Sequence, residues 1–124
     1  MATPAPPQPW WDTDYVQITS HAVKVDLLAP MLRDYVMTLG RVHMVLFGKA
    51  LEITSGNDGK HVAGSAHYIN KAVDLRSIDF LDEERAIFAL VLGYFSRLYK
   101  VAVFDERFTA SPHWHIQTAD SVGG

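Results

Sequence analysis

The first sustained apolar rhythm in the chain begins after Asp26. Leu28, Leu32, Val36 and Leu39 recur at three- and four-residue steps, and Val42 and Leu46 carry the stripe past Gly40. That spacing predicts a helix with one apolar face. Asp26 supplies a capping side chain, Pro30 falls where a first-turn amide has no intrahelical partner, and Gly48 is a natural stop. A second helix is predicted from a cap at Asp79. Asp82, Glu83 and Glu84 suit its positive end, and Leu81, Phe88, Val91, Leu92, Phe95 and Leu98 form its apolar face. Short runs predict strands at 50–54, 72–76, 101–104 and 113–117, separated by turn-rich stretches at 55–59 and 109–112. Residues 16–25 mix polar and apolar positions without clean alternation and read as an irregular lead-in with one short strand. The expected fold is α+β: a small, mainly antiparallel sheet of about four strands flanked by two main helices.

The remaining segments fix the boundaries. Four prolines within residues 1–9 predict a flexible arm over 1–12, ended by Trp10 and Trp11, which are expected to pin it to the domain. A single domain is expected over 13–120, followed by a short tail at 121–124. Composition agrees: 124 residues with 48% hydrophobic and 20% charged positions can bury one core and are not a disordered chain. The net charge of −3, with no basic block, argues against a nucleic-acid or anionic-membrane partner. The longest apolar run, 86–95, is too short for a membrane span. No cysteine is present, which removes disulfides and thiolate metal sites. The N-terminus lacks a basic and apolar leader pattern, so a product that is cytoplasmic as synthesised is expected; a monomer is also expected.

Six histidines stand out in so short a chain. His43 lies among helix residues and reads as a packed histidine; His21 belongs to no cluster. His67 and Asp74 are seven residues apart at the edge of a strand, and His113 and His115 alternate on another, so that their side chains share a face. Two strands of one sheet can bring His67, Asp74 and His115 around a single ion, leaving one position open as in a catalytic zinc site. The same residues also fit a polar, histidine-rich surface with no metal.

The words around these residues narrow the choice. The stretch from Ile53-Thr54-Ser55-Gly56 through Ser65-Ala66-His67 and Ala72-Val73-Asp74, then Pro112-His113-Trp114-His115, resembles a family of zinc metallopeptidases. Its members are D-alanyl-D-alanine carboxypeptidases, D-Ala-D-Ala dipeptidases and phage L-alanyl-D-glutamate endopeptidases. The family pattern is Ser-x-His-x-x-Gly-x-Ala-x-Asp followed downstream by His-x-His, and the match extends from about residue 51 to 117. The resemblance implies Zn2+ held by His67, Asp74 and His115 on the open face of the sheet, with His113 lining the site. It also implies cleavage of peptidoglycan stem peptides in the manner of an endolysin, a cytoplasmic phage-associated product that reaches the cell wall after release.

Three departures qualify what the resemblance implies. The glycine before Lys71 is Asn70, a residue that tolerates left-handed backbone. The arginine that often follows Ser-Gly is absent, which leaves Lys60 and His61, with Ser65, as the candidate substrate contacts. The acidic general base three residues before the last histidine is replaced by Pro112. Glu106, ahead of Asp105, is the acid expected to serve in its place. The alternative is a catalytically weak relative of the same fold acting as a binding or assembly module, with the proline-rich arm as its docking segment. Trp114, pointing away from the two histidines, is expected in the core.

Overall fold

The computed structural model describes residues 9–58 and 65–121. Its elements run β1 (Val16–Ile18), α1 (Pro30–Phe47), β2 (Leu51–Ser55), a 3-10 turn (Ala66–Ile69), β3 (Ala72–Arg76), α2 (Asp82–Tyr99), β4 (Val101–Glu106), β5 (His113–Thr118) and a closing 3-10 turn (Ala119–Ser121). The five strands form one open sheet in the order β1-β2-β3-β5-β4. Only β1 and β2 are parallel; the other pairings are antiparallel, so the α+β expectation holds with a fifth strand added at one edge. That strand is the short one foreseen in the lead-in.

One face of the sheet makes the core. Leu51, Ile53, Val73, Leu75, Trp114 and Ile116 alternate inward along three strands and meet Leu32, Tyr35, Val36 and Leu39 of α1 and Phe88 and Leu92 of α2. Trp114 is 1% exposed and takes the edges of Phe80 and Phe88 at 4.9 and 5.5 Å between ring centres, the geometry that aromatic quadrupoles favour. Both helices give their buried side chains to this cluster. The alternate strand positions turn to the other face: Asp74 pairs with His115, Arg76 with His113, and Glu106 with His113. Trp10 and Trp11 pack against the core edge, where Trp10 donates its indole N–H to the Val25 carbonyl.

Both helices start later than the pattern predicts. α1 begins at Pro30 with Ala29 at its N-cap, and no side chain caps it. Asp26 is instead part of the lead-in that Arg33 ties down through the Asp26 and Leu28 carbonyls. Asp79 does not cap α2; its carboxylate binds Arg76, and the Leu81 amide before the helix is satisfied by Glu84. Leu81 and Leu98, expected on the apolar face of α2, are 65% and 62% exposed, and Leu46 of α1 is likewise exposed. No helix among the described residues is long and apolar enough to cross a membrane.

Candidate metal centre

The site is built where the 3-10 turn crosses the outer face of β3 and β5. Ser65 starts the turn, its hydroxyl accepting the His67 amide at 3.2 Å. Asn70 ends it in the left-handed conformation (φ 60), its amide returning to the Ala66 and His67 carbonyls. This is the position at which the resembling family carries glycine, and asparagine supplies the same backbone state. The Asn70 carbonyl also accepts the Ala29 amide, so the turn is fastened to the start of α1.

Within this frame His67 is 2% exposed and fixed at both ring nitrogens. Nδ1 lies 2.8 Å from the Gly56 carbonyl, so it carries the proton and leaves the Nε2 lone pair facing β3. Gly56 can serve only because it has no side chain. A Cβ there would collide with the Lys24 carbonyl and lie 2.5 Å from the Val25 side chain. Asp58 holds this crossing together by accepting the Lys24 and Gly56 amides at 2.9 and 2.7 Å.

His115 is oriented in the same manner. Its Nε2 donates to Gln117 Oε1 at 2.7 Å, which leaves Nδ1 as a lone pair directed at Asp74. Three electron-pair donors therefore converge. His115 Nδ1 and Asp74 Oδ1 are 3.0 Å apart, His67 Nε2 and Asp74 Oδ1 3.2 Å, and the two nitrogens 3.1 Å. Tetrahedral zinc with bonds of roughly 2.0–2.1 Å spaces its ligands about 3.3 Å apart, so this triangle needs only a few tenths of an ångström to receive the ion. Without a cation, such donors repel unless a proton intervenes. The group could hold a metal ion, and the donor set of two imidazoles and a carboxylate suits zinc among other divalent ions.

The electrostatics follow from the same contacts. In the metal-free chain a proton takes the place of an ion: burial acts to raise the Asp74 carboxyl, but the hydrogen bonds that His115 and His67 donate when a proton stands on the facing nitrogen outweigh it and hold the group well below the usual carboxylate range. Burial likewise acts to lower His115, while its bonds to Asp74 and Gln117 prevail and raise it above the ordinary imidazole value. A buried anion thus sits permanently beside two nitrogens, which is the charge a divalent ion requires.

His113 and Glu106 stand next to this triangle. His113 Nε2 lies 3.8 Å from Asp74 Oδ2 and 2.8 Å from Glu106 Oε2. Its Nδ1 donates to the Ser111 carbonyl at 2.8 Å, which turns Nε2 toward the Glu106 carboxylate. Glu106 and His113 are direct neighbours across β4 and β5, which is why an acid nine residues before His115 still reaches the site. Asp105, one residue away, points to the other face and is bound by Arg85 and Arg107. Pro112 carries no proton-transfer group but positions the strand start, its carbonyl accepting the Ser77 amide.

Of the expected substrate contacts, Ser65 serves the turn that places His67, whereas Lys60 and His61 lie outside the described residues. His43 is 2% exposed on the helix side, enclosed by Phe47, Phe80 and Phe88 and bonded to the Lys49 carbonyl. Gly56, Gln117 and Phe104 were not assigned a role from sequence. Gln117 continues the alternation of His113 and His115, and that spacing was the available signal. Phe104, 43% exposed, lies 5.9 Å from the His115 ring and forms an apolar border to the site. No protein-family model matches the chain, and no curated protein matches it.

Proposed function

We propose that the protein is a zinc-dependent peptidase acting on peptidoglycan stem peptides. The observation that carries this reading is the convergence of His67 Nε2, Asp74 Oδ1 and His115 Nδ1 beside the His113–Glu106 pair, in contact at 2.8 Å. A zinc ion held by the three would polarise a scissile carbonyl and bring the pKa of its water to about 7. Glu106 is the group fitted to take the proton of the attacking water. His113 is fitted to stabilise the developing oxyanion or to pass that proton to the departing amine. Buried Asp74 keeps both ligand imidazoles oriented, and Phe104 offers an apolar wall to the substrate. The choice of stem peptides rests on the sequence resemblance, as does a phage-associated enzyme that acts on the cell wall after release.

The test is incubation of the zinc-loaded chain with purified peptidoglycan and synthetic stem peptides, with products read by mass spectrometry. New amino and carboxyl ends at D-Ala or L-Ala-D-Glu bonds are expected. Stoichiometric zinc without cleavage of any stem peptide would reject the peptidase reading. Pro112 in place of an acid favours, in that event, a metal-bearing binding or assembly module.

A further inference from the structure

Helix α2 presents two apolar faces, and the chain uses one of them. Phe88 and Leu92 are buried, with Val91 and Phe95 partly buried against the core. The opposite face carries Ile87, Leu90, Tyr94 and Leu98, which are 47%, 77%, 69% and 62% exposed. Ala86, Ala89 and Gly93 flank them on the Leu90 side beside Arg97, and are exposed as well. A contiguous apolar surface of this kind marks an interaction site.

Gly93 sharpens the point. It stands inside an 18-residue helix, where glycine weakens the helix relative to alanine. Nothing among the described residues asks for it: its backbone is not left-handed, and a Cβ there would meet none of their atoms within 4 Å. A notch in an apolar face that no intramolecular neighbour fills is shaped for a side chain from outside.

We propose that the occupant is α2 of a second copy, packed antiparallel about a two-fold axis near the middle of the helix. An antiparallel crossing between Leu90 and Gly93 sets Leu90 of each copy over Gly93 of the other and Tyr94 over Ala89. Large side chains then meet small ones, and two-fold symmetry repeats each match. Charge selects the same arrangement. Asp82, Glu83 and Glu84 occupy the first turn, while Arg97 and Lys100 mark the far end, so Glu83 faces Lys100 of the other copy. A parallel pair would set acid against acid, and an anionic membrane would meet the same acidic turn. The metal centre lies on the sheet face away from α2 and stays open in this dimer, so the inference stands apart from the proposed activity.

Sedimentation equilibrium on the full chain, from low micromolar to near-millimolar concentration, tests it. The mass should move from 13.9 kDa toward twice that value. Leu90→Arg should remain monomeric with an unchanged circular dichroism spectrum, since Leu90 makes little contact within the chain. Glu83→Lys should weaken association by roughly tenfold or more, and adding Lys100→Glu should restore it. Gly93→Ala should raise the melting temperature of the monomer yet weaken the dimer, a split that a purely structural glycine would not give. A chain that stays monomeric at the highest concentration would overturn the proposal. So would a dimer indifferent to Leu90→Arg, or a charge reversal that fails to restore association.

Discussion

At the scale of single residues, the site is decided by which ring nitrogen of each histidine faces Asp74. Gly56 and Gln117 each engage one nitrogen of a ligand histidine, and the other is left pointing at Asp74. His67→Ala removes one corner of the triangle and leaves two donors, too few to hold zinc against water. Elemental analysis should therefore find about one zinc per wild-type chain and almost none in the variant. Equal zinc in both would show that the ion binds elsewhere. On the proposed peptidase reading, Glu106 separates metal binding from proton transfer. Glu106→Gln keeps a hydrogen-bonding group of the same shape beside His113 but cannot accept a proton. Its zinc content should match wild type while stem-peptide hydrolysis falls about 100- to 10,000-fold, the usual contribution of a positioned acid–base group. Unchanged turnover would remove Glu106 from the reaction.

At the scale of elements, the most demanding junction is the crossing of β2's end with residues 24–25, where Gly56 passes too close for any side chain. Gly56→Ala should destabilise the chain by about 1–3 kcal/mol, the ordinary range for overpacking, as read by urea unfolding. Because the same carbonyl orients His67, zinc affinity should fall roughly 10- to 100-fold as well. A loss of stability with unaltered zinc affinity would mean that His67 keeps its orientation without Gly56. Much of this architecture was legible beforehand. β3 was readable as a short run between turn-rich stretches, β5 from the alternation of His113 and His115, and the inner stripe of α1 from its period. The helix starts were not, because Asp26 and Asp79 resemble caps, whereas the Asp79 carboxylate is taken by Arg76 and the Asp26 carbonyl is held by Arg33 ahead of the helix. β1 was indistinct because three residues are too few to display a period. The reach of Glu106 depends on the register of β4 against β5, a long-range property that local pattern does not encode.

At the scale of the whole molecule, the His67–Asp74–His115 group, which could hold a metal ion, couples folding to pH, and the sign depends on whether a proton or an ion stands there. The raised pKa of His115 means that the folded, metal-free chain binds its proton more tightly than the unfolded chain does. That contribution is complete below about pH 6.5 and is lost as pH climbs through the raised value. The depressed Asp74 contributes stability above about pH 4, lost only as pH falls toward its folded value. Zinc bound there would reverse the dependence on His115, because the ion needs the lone pair that the proton occupies. The gain in melting temperature on adding zinc should therefore be small near pH 5 and rise steadily to about pH 8. His43 works in the opposite direction, since burial lowers its pKa and favours the neutral ring in the folded state. It lies on the helix side among Phe47, Phe80 and Phe88, so it affects the zinc-loaded and chelated proteins alike and cancels from their difference. Differential scanning calorimetry with zinc and with chelator across this range checks the prediction. A zinc increment independent of pH would mean that no histidine proton is displaced on binding, and His115 would then lose its place among the ligands.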